Sequence, residues 1–254
     1  MDEPQTVCHS VPVPQNLETT RTVEDKINQY YMGGRASVYV KSLEVSKSVS
    51  SALPMDKMFK ITELDAYNYY FEDYLPIIDP ISFPLKYLRT TPAGLHTYDH
   101  PVFRSAEILS IELIEEKSEA EMICLHKLPC KTVLFDECHL NMLDVVSMIR
   151  YWMEHPKEIG TKYTFLEWDF KLVHAELDRI KEAFKEVRQD LEETTVNGTR
   201  NWPRFLIQLN PNSKLHIYTT GSFSQHCYFI IKVVPESGAE FSEIEEPSTR
   251  FTLV

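Results

Sequence analysis

Thiol and imidazole side chains are concentrated in one stretch of the 254-residue sequence, at Cys124, His126, Cys130, Cys138 and His139. Zinc prefers such ligands, in tetrahedral sets that usually come in pairs separated by two to four residues. The spacing here is irregular. Cys130 and Cys138 also have places in a strand pattern described below. We therefore predict that these residues do not form a metal site.

A second stretch places two histidines and a carboxylate within five residues, at His96, Asp99 and His100. A loop that presented all three could hold a metal ion. The alternative is that His100 and Pro101 open a helical return and that Asp99 caps it. We favour the capping interpretation.

Glu112, Glu115 and Glu116 are the remaining candidates for acid–base chemistry. Nothing near them in the sequence predicts desolvation, so we expect them to be solvated surface. Phosphate-binding loops need glycine-rich backbone, and the chain has only seven glycines and no nucleophile-elbow or dinucleotide pattern. We therefore expect a protein that is not an enzyme and has no cofactor. The alternative is an enzyme with an unrecognised small-molecule site.

The elements that would position these side chains follow a regular spacing. Five segments share one spacing of apolar residues at their first, fourth and sixth positions, although the sixth position is weak in two of them, where it is Ala66 or Thr90. Their fourth positions lie 21, 24, 21 and 24 residues apart. This period falls within the range of leucine-rich repeats, in which each unit is a short strand followed by a return. The five segments are residues 40–45, 61–66, 85–90, 106–111 and 130–135.

The spacing predicts an α/β fold that begins with a leucine-rich-repeat-like stack of short strands and helical returns. Cys138 stands where that motif wants an Asn or Cys at the bend. The alternative is an α/β domain whose strands are evenly spaced without being repeats. An apolar segment at 71–78 and a helix at 141–154, capped by Asn141, are the clearest returns.

Side chains alternate across a strand, so the residues between the apolar positions face outward. Repeat proteins bind partners on that exposed face. The alternative is that the row is polar only because it faces solvent. We predict a partner-binding face made by Glu44, Glu63, Asp65, Tyr87, Arg89, Glu112, Leu134 and Asp136.

The pattern changes after Gly160 and predicts an α+β region with an antiparallel sheet. A strand at 162–168 precedes an amphipathic stripe at 171–194, which predicts one long helix. Three further strands are expected at 204–209, 214–219 and 227–234. The predicted organisation is a flexible arm at 1–18, the repeat-like region at 19–156, the α+β region at 157–234 packed on it, and an acidic tail at 235–254.

The chain is acidic, with 38 acidic against 26 basic residues and a net charge of −12. Nucleic-acid binders need clustered Lys and Arg, so we expect no nucleic-acid partner; a basic protein fits better. Five cysteines without a secretory leader predict reduced thiols in the cytoplasm or nucleus. No apolar run is long enough to span a membrane, so no membrane association is expected.

Four stretches carry a family resemblance. They read INQYYMGGR at 27–35, FEDYLPIIDPISFPLK at 71–86, DHPV with SAE at 99–107, and WMEHPKEIGT at 152–161. In this order they resemble a nematode-expanded family of F-box-like proteins with a domain of unknown function.

The resemblance implies a protein-interaction module like the part of F-box-like proteins that recognises substrates. In such proteins an upstream F-box-like segment would hold a ubiquitin-ligase adaptor. Here only 26 residues precede Ile27, and three of them are prolines, so adaptor binding is not expected of this chain. A truncated paralogue without independent function is the other interpretation.

Overall fold

The computed structural model describes residues 26, 30, 33, 35, 37–45, 57–113, 117–136, 140–194, 202–220 and 227–237. Within these ranges the strands are β1 (Ser37–Tyr39), β2 (Ser42–Glu44), β3 (Met58–Lys60), β4 (Glu63–Ala66), β5 (Tyr87–Thr90), β6 (Ile108–Glu112), β7 (Thr132–Asp136), β8 (Lys162–Glu167), β9 (Arg188–Thr194), β10 (Trp202–Asn210), β11 (Ser213–Thr220) and β12 (Cys227–Pro235). The α-helices are α1 (Leu95–Asp99), α2 (Pro101–Ser105), α3 (Glu119–His126), α4 (Val145–Glu154) and α5 (Phe170–Ala183). Short 3₁₀ helices occupy Phe71–Ile77, Pro80–Ser82 and Leu140–Met142.

One mixed sheet of ten strands organises the described residues, in the order β2-β4-β5-β6-β7-β8-β12-β11-β10-β9. In this order, each strand from β2 as far as β8 is parallel to the next one. The remaining pairs, from β8 through β12, β11 and β10 to the edge strand β9, are antiparallel. β1 and β3 form a separate two-stranded parallel sheet. The predicted mixed α/β architecture is confirmed at this level.

The parallel strands are aligned by their apolar fourth positions. Leu43 pairs with Leu64, which pairs with Leu88, and the row continues through Leu109 and Val133. Four of these five side chains are fully buried, and Leu43 is 8% exposed. Burying one such side chain contributes about 2 kcal/mol. A shift by one residue would turn the whole row to the opposite face, so this row fixes the register.

The helices cover the face of the sheet that this apolar row defines. Trp152 of α4 is fully buried and packs edge-on against Tyr163 of β8, with ring centroids 4.7 Å apart. α5 buries Val173, Leu177 and Ile180. The opposite face of the sheet, called the outward face below, carries the polar residues that alternate with the apolar row.

Sequence patterning located most elements but misplaced several ends. The predicted helix over 171–194 is wrong in its second half, because α5 ends at Ala183 and residues 188–194 form β9 instead. The apolar stripe on which the helix prediction rested continues across both elements. Residues 188–194 form a strand because they pair with β10. The strands predicted at 162–168, 204–209, 214–219 and 227–234 are confirmed as β8, β10, β11 and β12.

Helix caps also differ from expectation. The cap of α4 is Asp144, whose carboxylate accepts a hydrogen bond from the Ser147 amide, rather than Asn141. The cap of α2 is His100, whose Nδ1 accepts from the Val102 amide, rather than Asp99.

The sheet runs without a break across the boundary predicted at residues 156 and 157, because β7 pairs with β8. The predicted arm at 1–18 and most of the tail at 235–254 lie outside the described residues, as does Cys138. None of the helices within the described ranges is both long and apolar enough to cross a membrane.

Candidate binding face on the large sheet

All eight predicted contact residues lie on the outward face. Glu44, Asp65 and Arg89 are paired in register across β2, β4 and β5, and the row continues through Ser110 to Leu134. On the same face, two residues before this row, Glu63 pairs with Tyr87. Two residues after the row, Glu112 pairs with Asp136.

Arg89 lies at the centre of this face and reaches carboxylates on three other strands. Its Nη2 lies 2.5 Å from Asp136 on β7, and its Nε lies 3.0 Å from Glu112 on β6. Its Nη1 lies 3.7 Å from Asp65 on β4. The guanidinium carbon also lies 4.2 Å from the ring centroid of Tyr67. We call Arg89 and its three carboxylates the Arg89 cluster.

Ser110 makes this arrangement sterically possible. It is paired with Arg89 in the register, and its small side chain leaves room for the guanidinium to cross β6 and reach Asp136 two strands away. A flat guanidinium with five N–H donors suits contacts with several carboxylates, which a lysine at this position could not reproduce.

Glu112 is fully buried, so the expectation that it is solvated surface is wrong. Its Oε2 accepts hydrogen bonds from the Asn68 amide at 2.7 Å and the Thr91 hydroxyl at 3.0 Å. Asn68 adopts a left-handed conformation with φ of 61°, which asparagine tolerates better than most residues. Glu112 therefore ties together the loops that follow β4 and β5.

Charges in the Arg89 cluster do not balance, because one guanidinium faces three carboxylates. Burial alone would lower the pKa of Arg89, but the carboxylates of Asp136, Asp65 and Glu112 outweigh it and raise that pKa. Burial raises the pKa of Asp65, even though Arg89 acts to lower it. Burial also raises the pKa of Glu112. With all three carboxyls ionised the cluster carries excess negative charge, and the raised pKa values of Asp65 and Glu112 reduce that excess as the pH falls.

Exposed carboxylates extend this negative region toward the edge of the sheet. Glu44 is exposed on β2, and Glu63 is 29% exposed and lies 3.6 Å from Lys41. Asp65 keeps a quarter of its side chain exposed. We call Glu44, Glu63, Asp65 and Asp136 the acidic patch. Tyr87 and Leu134 lie beside it, both half-buried.

Several residues of the site were not identified from the sequence. Tyr67, Asn68 and Thr91 lie in loops beyond the strand ends, where alternation gives no information. A buried carboxylate needs hydrogen-bond donors, and this rule would have pointed to loop donors around Glu112. The rule could not be applied from the sequence, because the burial of Glu112 was not predicted.

Two of the residues considered for metal binding, Cys130 and His126, have structural partners, and Cys138 and His139 lie outside the described residues. The Cys130 thiol donates to the backbone carbonyls of Phe103 and Arg104 at 3.5 Å. His126 is buried against the ring of Tyr151, and burial lowers its pKa. Within the residues that the structure describes, no group of three or more His, Cys, Asp or Glu side chains is placed to hold a metal ion.

Comparison with known proteins gives one match. The family described as "Domain of unknown function (DUF3557)" matches residues 24–166, which is more than half of the chain. The match includes β2 to β7 and therefore the whole acidic patch. No curated protein and no solved structure matches the chain.

Proposed function

Because the chain belongs to the family described as Domain of unknown function (DUF3557), whose description assigns no activity, we propose a function from the site itself. The protein is a non-enzymatic interaction module that binds a basic segment of another protein on the acidic patch. The Arg89 cluster is the observation that carries this proposal.

Pre-organisation supports the proposal. Arg89 is only 16% exposed and Asp136 only 14%, so their side chains are already held in place by contacts across four strands. A partner that docks here does not have to order them, and this ordering cost is a major cost of binding. The excess negative charge of the cluster favours Lys or Arg side chains in the partner and would speed their encounter.

The arrangement of the parallel strands also supports the proposed binding function. Five strands at repeat-like spacing lie parallel and in register, with helical returns between several of them. We interpret this half of the sheet as a leucine-rich-repeat-like stack, whose exposed strand face is the usual binding surface of such proteins. Together with the resemblance to F-box-like proteins, this favours a role like that of their substrate-recognition part.

The proposal is tested by titrating the purified full chain with a fluorescein-labelled peptide of alternating Lys and Ser. We expect binding that weakens as salt is added, because charge attraction is screened. Replacing both Glu44 and Glu63 with Lys should weaken it about tenfold, since two exposed charges are reversed.

Glu182→Lys is the matched control. Glu182 is exposed near the end of α5, where it pairs with Lys185, and it lies away from the outward face. Reversing its charge changes the net charge of the protein by the same amount per residue and should leave peptide affinity nearly unchanged. The control reverses one charge and the patch variant two, so an effect of net charge alone would give the control half of the patch variant's loss of binding free energy. A loss of that size or greater in the control would overturn the proposal.

A further inference from the structure

The large sheet ends at β2, whose outer edge is open. β2 pairs with β4, and no other strand among the described residues lies beside it. β1, which precedes β2 in the chain, pairs with β3 alone within the same ranges. The first strand of the parallel stack therefore offers an edge to which a further strand can be added, as peptides extend the sheets of other proteins.

The backbone groups on this edge follow from the hydrogen bonds on the other side of β2. The Lys41 carbonyl accepts from an amide of β4, and the Val45 amide donates to a carbonyl of β4. In a parallel ladder, alternate residues of one strand direct their N–H and C=O groups to opposite sides. The amides and carbonyls of Ser42 and Glu44 therefore point to the open edge.

Glu44 is the carboxylate on this edge that lacks a compensating charge. It is exposed on the outward face and is paired in register with Asp65, a second carboxylate. Asp65 lies 3.7 Å from Arg89, whereas Glu44 forms no ion pair within the part of the chain that the structure describes. Like charges on neighbouring strands repel each other. A strand added about 4.8 Å from β2 would place a Lys or Arg beside Glu44 and relieve this repulsion.

Leu43 determines what the other face of an added strand would carry. It is the first member of the buried apolar row, and it is 8% exposed where Leu64 beside it is fully buried. Val45 points to the same face, two residues further on. Apolar residues next to Leu43 and Val45 would extend the row beyond β2. Because successive side chains alternate between the two faces, a segment that fits both faces alternates basic and apolar residues.

We propose that the outer edge of β2 binds an extended segment of a partner protein, with alternating basic and apolar residues, as an added strand. This segment is the basic segment of the proposed function, so the proposal rests on that function and adds the place and conformation of the partner. Main-chain hydrogen bonds to Ser42 and Glu44 supply affinity, and the alternating side chains supply specificity.

The test is fluorescence anisotropy of the full chain with three labelled peptides. The first alternates Lys and Val, and the other two carry backbone N-methyl groups on either all of its valines or all of its lysines. N-methylation removes backbone donors and leaves the charge unchanged. An added strand directs only alternate amides to β2. We therefore expect one methylated peptide to bind at least about tenfold more weakly and the other to bind like the parent.

Ser42→Pro tests the same contact from the side of the protein, and Ser42→Ala is its matched control. The proline removes an amide that points away from β4 and leaves the acidic patch unchanged, and proline is tolerated on edge strands. We expect Ser42→Pro to bind the Lys–Val peptide about tenfold more weakly and Ser42→Ala to bind it like the wild type. Circular dichroism checks that both variants are folded, and the methylated peptides need no variant.

Three results would overturn the added strand: equal affinity of all three peptides, equal weakening by both sets of methyl groups, or equal affinity of the folded Ser42→Pro and Ser42→Ala variants. In each case, weaker binding by the variant with Lys at positions 44 and 63 would leave the proposed function standing. If the wild type bound neither the Lys–Val nor the Lys–Ser peptide, the proposed function itself would fail.

Discussion

Glu112 shows how one buried carboxylate can organise one face of a sheet. It contacts Arg89 and accepts hydrogen bonds from the Asn68 amide and the Thr91 hydroxyl. Removing it would leave Arg89 with less compensation and two loop donors without their acceptor.

We therefore expect Glu112→Ala to lower the free energy of unfolding by about 3 kcal/mol, as is typical when one member of a buried ion pair is removed. Glu112→Gln can still accept from the loop donors and should cost less. Urea unfolding measures whether the alanine variant is less stable than the glutamine variant. An alanine variant as stable as the wild type would mean that the cluster does not hold these loops together.

Glu176 on α5 gives a prediction about pH. Burial raises the pKa of its carboxyl from 4.5 to about 7; Arg179, 3.5 Å away, opposes this and Asp144 adds to it. Because the folded state holds the proton more tightly, this group stabilises the fold fully below about pH 4.5. That contribution is lost as the pH rises through 7.

Glu176→Gln should therefore be more stable than the wild type near pH 8, by on the order of 2 kcal/mol, and equally stable near pH 4. Arg179 keeps its contact with Asp144 at 2.8 Å in the variant. Thermal unfolding at several pH values measures the difference. A difference that did not change with pH would contradict the assigned protonation.

At the scale of elements, the start of α4 depends on one side chain. The carboxylate of Asp144 accepts from the Ser147 amide at 3.2 Å, and its other oxygen accepts from the Ser147 hydroxyl at 2.5 Å. Burial acts to raise the pKa of Asp144, but these hydrogen bonds and Arg179 outweigh it and lower that pKa.

Asp144→Ala should cost about 1–2 kcal/mol, and Asp144→Ser, which can still cap the helix, should cost less. Hydrogen exchange should speed up in the first turn of α4 and not in α5. If the substitution changed the exchange rates of α4 and α5 to the same extent, the Asp144 cap would not be what stabilises the first turn of α4.

Some of the secondary-structure elements could be predicted from the sequence and others could not. Apolar periodicity located the parallel strands and their shared register, because buried positions alternate with outward ones. It failed after Ala183, where the apolar stripe through Val187 and Leu191 continues although the chain forms β9. Residues 188–194 are strand because β10 lies beside them, and this is a long-range cause that a local pattern does not contain.

The candidate binding face was predicted from the sequence only in part. Alternation placed Glu63, Asp65 and Arg89 on one surface, and the structure agrees. It could not show that Arg89 is drawn into the sheet by carboxylates on three other strands, nor that Glu112 is buried.

For the whole molecule, the continuous sheet predicts a single unfolding transition. β8 pairs with β7 on one side and β12 on the other, so neither predicted region can unfold without exposing a strand edge of its neighbour. Far-ultraviolet circular dichroism and tryptophan fluorescence should report the same midpoint in urea. Two separated midpoints would mean that the regions on either side of residue 156 fold independently.

The charge distribution of the whole molecule underlies our proposal that the acidic patch captures a basic protein segment. The most direct test is affinity purification of the tagged chain from its native cells, with mass spectrometry of the proteins that co-purify. The wild type, the variant with Lys at positions 44 and 63, and Glu182→Lys would be compared in parallel. We expect a partner with a basic segment that both the wild type and Glu182→Lys retain and that the patch variant loses. The same partners in all three samples would contradict it.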